Sequence, residues 1–349
     1  MDNPIPSEET ILRDLQETGI LSTDAVFMPL TGGVSCEVWR VRPEHLTPEV
    51  VRDNPHGLVV KAPLATLRTP ALWQADVSRG FAESAALTWY GTVTPDAVPK
   101  VVWRHAWAPV FVVEAAPEAW EEWRHQMLNA SADSPDVAGE RLARIGAHLG
   151  TTVAAWHMGS SDTNVLPEVL LMGDRLRTLR TDPFHRATAT EVPEIAVELR
   201  ALAHELESAR TCLVHGDFSP KNVLVSAPGS PFGGWMLDAE VAHVGDPVLD
   251  VAYLSTHFVC KGVARPALAA SFDSARRAFE DAYRTNSDLV DADRWSRHAG
   301  AILAARVRGV SRVNYLTPEQ QEFVLARAIR LVRGESSLDE VWEQILLAS

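Results

Sequence analysis

Val214-His215-Gly216-Asp217-Phe218-Ser219-Pro220-Lys221-Asn222-Val223-Leu224 decides how this chain reads. It sets a carboxylate, Asp217, five positions ahead of a side-chain amide, Asn222. An apolar run, Val223-Leu224-Val225, follows at once, and a second carboxylate, Asp238, closes the next such run, Trp235-Met236-Leu237. The connector between the runs, residues 226–234, is rich in Gly, Pro and Ser, so the pair predicts a hairpin. Asn222 enters its first strand and Asp238 leaves its second, which brings them to one end. An acid to orient a nucleophile, with an amide and an acid to hold a divalent cation, is a minimal kit for moving a phosphoryl group. Such oxygen ligands suit Mg²⁺. An isolated Asp-x4-Asn would read as a loop capping its own backbone. The His-Gly-Asp context and the flanking apolar strands carry this one past that reading.

Upstream, residues 7–16 predict a helix with Ile11, Leu12 and Leu15 on one face and Gly19 as its stop. Strands over 25–30 and 36–42 flank the turn Thr31-Gly32-Gly33-Val34-Ser35. Leu58-Val59-Val60-Lys61 is a third strand, residues 76–90 are a helix stopped by Gly91, and 100–103 and 110–114 are two more strands. After Ala115-Ala116-Pro117 the pattern turns helical, over 136–157, 194–210 and from Asp250 onward. The expectation is an α+β chain. A small β-rich N-terminal lobe, residues 1–114, holds a leading helix, an antiparallel sheet and one helix. A larger helical C-terminal lobe, residues 115–349, carries the catalytic loop and the substrate site.

Bulk properties narrow the partners. The 349 residues carry a formal net charge of -14, which argues against nucleic acid or an anionic membrane surface. Cys36, Cys212 and Cys260 are too far apart for a zinc or disulfide framework. Met1-Asp2-Asn3-Pro4 has no basic or apolar secretory pattern, and no apolar run nears the roughly 20 residues that span a bilayer. A reducing cytoplasm is expected. Lysine is scarce, only Lys61, Lys100, Lys221 and Lys261, so each one draws notice.

His215-Gly216-Asp217 with Asn222 resembles the catalytic loop of the aminoglycoside phosphotransferase and choline kinase family, relatives of the protein kinases. Leu237-Asp238-Ala239-Glu240 resembles that family's second metal-binding segment, and Gly245-Asp246-Pro247 the segment that follows it. The resemblance covers residues 24–255; beyond that the match is to generic helices. It implies a two-lobed protein-kinase-like fold that uses ATP, sometimes GTP, with Mg²⁺. Asp217 would then be the catalytic base or the residue that orients the hydroxyl, and Asn222 and Asp238 the metal ligands. Lys61 would steady the phosphates, paired with Glu83. Gly32, Gly33 and Ser35 would cover the triphosphate, and Glu114 and Ala116 would meet the adenine. Lys221 either reaches the transferred phosphate or faces solvent. Protein kinases place their loop lysine two positions after the Asp, where this chain has Ser219. His215 and Asp250 would support the loop, and Asp246 would approach the metal or, preferably, cap the helix that begins near Pro247.

Trp39, Trp103, Trp156 and Trp235 read as core residues. The cluster Glu335, Asp339, Glu340 and Glu343 reads as a solvated helix face rather than a trap for a polycationic antibiotic. The expected activity is a small-molecule O-kinase with a hydroxyl acceptor: an antibiotic, a sugar or an amino alcohol. Two rivals are a catalytically idle binding module and a kinase of a protein-bound acceptor such as a glycated lysine. Nothing in the sequence speaks to oligomeric state.

Overall fold

Leu58, Val60 and Ala62 are buried while Val59 and Lys61 are half-buried, the period of two that a pleated strand imposes. That alternation organises the first part of the molecule. A computed structural model describes residues 5–30, 33, 35–68, 74–131, 135–171 and 174–349. In chain order come α1 (Glu8–Glu17), β1 (Met28–Pro29), β2 (Cys36–Val41), α2 (Pro48–Asp53), β3 (Leu58–Pro63), α3 (Arg79–Val93), β4 (Val101–Arg104) and β5 (Phe111–Glu114). The five strands form one antiparallel sheet in the order β1-β2-β3-β5-β4. Leu58, Val60 and Ala62 share a core with Trp39, Val41, Val112 and, from α1, Ile11 and Leu15. The other face of β3 carries Val59 and Lys61.

Two short strands follow later, β8 (Val223–Val225) and β9 (Gly234–Met236). They form the predicted hairpin in a three-stranded sheet with β6 (Glu121–Glu122), in the order β6-β8-β9. The chain packs as two compact units, one from Met1–Glu121 with Leu224–Glu240, the other from Glu122–Val223 with Val241–Ser349. The first therefore extends past residue 114 and includes much of the hairpin.

The second unit is mostly helical: α4 (Trp123–Asn129), α5 (Pro135–Gly159), α6 (Glu168–Leu171), α7 (Asp174–Leu176), α8 (Ala187–Glu191) and α9 (Ala196–Ser208). Then β7 (Cys212–Val214) pairs antiparallel with β10 (His243–Gly245). After these come α10 (Val248–Ala264), α11 (Ala269–Asn286), α12 (Ala292–Arg308), α13 (Pro318–Val332) and α14 (Leu338–Leu347). Gly146 and Gly150, one turn apart on α5, let α11 press close: a Cβ on either would lie 2.4 Å from the Ala275 carbonyl oxygen or 2.3 Å from that of Phe279.

Several boundaries differ from expectation. Gly91 does not stop α3, which runs on to Val93; an interior glycine costs a helix only about 1 kcal/mol, and Pro95 ends it instead. The expected strand over 25–30 shrinks to Met28–Pro29. Residues 177–186 are wound as a π-helix around Pro183, which periodicity did not foresee. Trp39 and Trp156 are core, while Trp103 and Trp235 are only half-buried. In the acidic C-terminal cluster Asp339 pairs with Arg276 (2.9 Å) and Glu340 completes the capping box of α14. No helix among the described residues is long and apolar enough to cross a membrane.

Candidate active site

In the first unit the candidate residues gather on the face of β3 opposite its core. Lys61 Nζ donates to Glu83 of α3 and lies 3.0 Å from Asp238 Oδ1. Burial opposes the lysine's charge, but Glu83 and Asp238 outweigh it and raise its pKa well above the ordinary value. Burial pushes Glu83 up to about 7 against the pull of Lys61. Asp238 has φ 64°, the only described non-glycine residue with a positive φ. A left-handed backbone is uncommon outside glycine, and here it accompanies the Lys61 contact. Beside this group Arg79, itself buried, donates to Glu240 (2.9 Å) and to the carbonyls of Ser35 (2.6 Å) and Leu64 (2.7 Å). It ties α3 to the ends of β2 and β3.

The remaining first-unit candidates are scattered. Gly32 lies outside the described residues, as do Thr31 and Val34 of the same turn. A Cβ on Gly33 would meet only ordinary contacts, 3.7 Å from the Cys36 carbonyl oxygen. Glu114 stands opposite Leu58, three positions along β3 from Lys61. Its Oε1 accepts from the Lys100 N–H (2.7 Å), and the Ala116 carbonyl accepts from Arg40 at 3.4 Å.

In the second unit β7 leads into the catalytic-loop sequence, and Asp250 of α10 shapes that loop. Asp250 Oδ2 accepts from the His215 N–H (2.7 Å), Oδ1 from the Gly216 N–H (2.8 Å), and His157 Nε2 lies 3.1 Å from Oδ2. Burial would raise the Asp250 carboxyl, but His157 and His215 hold it down. Gly216 has φ 76°, and a Cβ there would lie 2.8 Å from Val241. Only glycine fits the turn that delivers Asp217.

Asp217 is 2% exposed. Its Oδ2 is held by Arg180 (3.1 Å) and Lys221 (2.9 Å). Its Oδ1 is buried with no hydrogen-bond partner among the described residues. Burial pushes this carboxyl up, yet Arg180 and Lys221 prevail and hold it far below the usual carboxylate range. Arg180 comes from the π-helix, where it also donates to the Gly216 carbonyl (2.6 Å). Asn222 ends the short turn Pro220–Asn222, and its Nδ2 donates to the Asp217 carbonyl (2.9 Å). That bond makes Oδ1 the end of the amide left for a cation. Asp246 caps α10 at the Val248 N–H (3.0 Å) and pairs with Arg294.

The structure therefore assembles Lys61, Glu83 and Asp238 in one unit, and Asp217, Lys221 and Asn222 in the other. Sequence reading missed Arg79, Arg180 and His157. Only His157 had a local signal, as a polar residue closing the apolar face of α5. No cluster of three or more His, Cys, Asp or Glu side chains arranged for a metal exists among the described residues. Mg²⁺, which takes few protein oxygens plus phosphate and water, needs none.

Comparison with known proteins adds the family. Solved structures share the fold, among them the following three. A candidate aminoglycoside phosphotransferase of Ralstonia eutropha JMP134 has a TM-score of 0.56 at 14% identity, over 94% of this chain and 98% of that one. An amicoumacin kinase in complex with AMP-PNP and Ca²⁺ scores 0.51 at 12% identity, over 95% of each chain. A microcompartment-associated aminopropanol kinase scores 0.50 at 16% identity, over 94% of this chain and 95% of that one. Among curated protein sequences nothing matches. The sequence profile of the phosphotransferase enzyme family, known as APH, matches residues 26–285. A match over that much of the chain, on this kinase-like α+β fold, makes the protein a member of the phosphotransferase enzyme family.

Proposed function

We propose that the protein transfers the γ-phosphoryl group of ATP to a hydroxyl of a small molecule, with Asp217 orienting that hydroxyl. The observation that carries this is the division of labour within one carboxylate. Oδ2 is clamped by two cations, while Oδ1 is buried and unpartnered. A buried acceptor atom without a donor is costly, and an incoming hydroxyl is a donor of the right kind.

With Oδ2 held by two cations, Asp217 is placed to aim the hydroxyl. That suits a loose phosphoryl transition state, where the nucleophile needs little activation. The acceptor oxygen bonds to the γ-phosphorus as the bond to the β,γ-bridging oxygen breaks. ADP departs with that electron pair, and the hydroxyl proton passes to solvent. Lys61, positioned by Glu83, offers its ammonium to the nucleotide phosphates. Asn222 Oδ1 and the Asp238 carboxylate are the oxygens offered to Mg²⁺, which when bound neutralises phosphate charge. Gly33, Ser35, Glu114 and Ala116 are retained as nucleotide contacts, and a cytoplasmic setting is part of this reading.

The test is nucleotide consumption with Mg²⁺-ATP, and Mg²⁺-GTP alongside, across aminoglycosides, sugars, amino alcohols and hydroxy acids, with mass spectrometry of the product. Asp217→Asn, which loses the charge that Arg180 and Lys221 hold in place, is expected to lose about 10² or more of the rate. Full activity in that variant sinks the reading. ATP binding with no turnover on any acceptor would favour the idle module. A phosphorylated protein product would favour a protein-bound acceptor.

A further inference from the structure

Lys261 is the scarce lysine that the chemistry above leaves unused. It follows Tyr253 and His257 on α10 at steps of four, so the three share one helix face. Its side chain is fully buried, and Nζ has no hydrogen-bond partner among the described residues. It lies 5.6 Å from the ring centre of Tyr315, which follows α12 in the loop before α13. The charged and titratable groups acting on it are Cys260, Arg306 of α12, Arg124 of α4 and Glu122. Glu122 is already paired with Arg124 (2.5 Å).

Two more donors in this cluster are also orphaned. The Tyr315 hydroxyl and Arg306 Nε are buried with no partner among the described residues. The rest of Arg306 is engaged: Nη1 with Ser311 (3.0 Å) and Nη2 with His257 Nε2 (3.0 Å). His257 therefore accepts, and burial with Arg306 keeps it neutral. Burial likewise pushes Lys261 down to about 7. An ammonium buried without a counter-charge costs several kcal/mol. Lys261 Nζ, the Tyr315 hydroxyl and Arg306 Nε are thus three buried donors with no acceptor among the described residues.

Shared neighbours link this cluster to Asp217. Arg306 and Arg180 stand over the same two rings, at 5.4 and 5.8 Å from Phe184 and 5.3 and 5.6 Å from Tyr253. Arg180 in turn holds Asp217, and Asp217 and Lys221 both act on the charge of His257. A ligand that reached from Asp217 to this cluster would meet cations.

We propose that the acceptor is an anionic alcohol, a small hydroxy compound whose carboxylate or phosphate is bound by Lys261 together with the Tyr315 hydroxyl. This rests on the phosphotransferase reading above and narrows its acceptor class. An acceptor bearing ammonium groups would face Arg180, Arg306 and Lys261, a like-charge arrangement that selects against it.

With only four lysines, ¹³Cε-lysine labelling gives a spectrum in which each ammonium is followed separately. Lys261→Met, which fills the buried slot with an apolar chain of similar size, assigns its signal. Glycerate, inorganic phosphate, glycerol and gentamicin are titrated at constant ionic strength. Glycerate or phosphate is expected to move the Lys261 signal saturably and to raise its titration midpoint from about 7; which of the two binds separates carboxylate from phosphate. Glycerol and gentamicin are expected to leave it unmoved. A Lys261 signal indifferent to both anions, or shifted by gentamicin, overturns the proposal. In turnover, glycerate against glycerol and glucose 6-phosphate against glucose are compared. The anionic member is expected to be favoured, and Lys261→Met to raise its KM by about tenfold or more with kcat little changed. Anion binding that survives in Asp217→Asn, with no transfer in either protein, would retire the phosphotransferase reading and leave the anion site standing. Brisk transfer to glycerol or gentamicin with a silent Lys261 would do the reverse.

Discussion

The ionisation of Asp217 rests on two cations that contact one oxygen. Take away Arg180 and burial, which already pushes this carboxyl up, regains ground. In Arg180→Gln the pKa therefore rises, and the ionised form is lost at a higher pH than in the natural protein. A kcat/KM profile against pH is expected to show an acid limb displaced upward in the variant; superimposable profiles would mean that Arg180 does not tune the carboxylate. Lys61→Met removes the ammonium offered to the phosphates and is expected to lower kcat by about 10²–10³, the usual cost of one lost charge-stabilising donor. Glu83→Gln, which keeps a hydrogen-bond partner for Lys61, should lose less, and ATP-dependent steady-state kinetics rank the two. Lys61 on β3, Glu83 on α3 and Asp238 just past β9 could be named from sequence because the family resemblance marks those places. Arg79 and Arg180 could not. Their partners lie 161 and 36 residues away, and in a chain that writes most of its positive charge as arginine neither stands out.

Among the elements, the π-helix at 177–186 has the most to account for. It carries Arg180, and its wide winding tolerates Pro183 because the backbone bonds reach five residues back, as from the Ala187 N–H to the Asp182 carbonyl. It is pinned to α9 at its far end by Arg186, which grips Glu207 with both terminal nitrogens (2.6 and 2.8 Å), and at its middle by Thr181. Hydrogen bonding from Arg186 lowers the Glu207 pKa from 4.5 to about 2. A depressed carboxyl stabilises the fold fully above 4.5 and loses that contribution as pH falls through about 2. Glu207→Gln should therefore melt below the natural protein at neutral pH, with the gap in Tm closing as pH approaches 2. A gap that persists there would show that packing, not charge, holds the segment. Asp250→Ala removes the acceptor for two backbone N–H groups and the partner of buried His157; it is expected to destabilise by about 3–5 kcal/mol, measured by denaturant unfolding. The long helices, the sheet and the hairpin were legible because apolar periodicity spells them out. The π-helix was not, since its composition, Arg-Thr-Leu-Arg-Thr-Asp-Pro-Phe-His-Arg, has no apolar repeat and a proline that argues for a break.

For the molecule as a whole, the net charge of -14 and the local cations around Lys261 act on an anionic acceptor in opposite directions and over different ranges. The net charge repels it at long distance, and mobile ions screen that repulsion over a Debye length of about 10 Å at 0.1 M salt. The attraction of Lys261, Arg306 and Arg180 acts at contact among buried groups, where screening is weak. Raising the ionic strength from low values to about 0.15 M should therefore lower KM for an anionic acceptor, with ATP saturating so that its own charge drops out. A neutral acceptor, glycerol for example, provides the baseline, and the measured quantity is the ratio of the two KM values across a KCl series. A falling ratio identifies long-range repulsion overcome by a buried cationic site. A ratio that climbs steadily with salt would mean that the acceptor is drawn in by an exposed positive surface, and that the buried lysine is not what receives it.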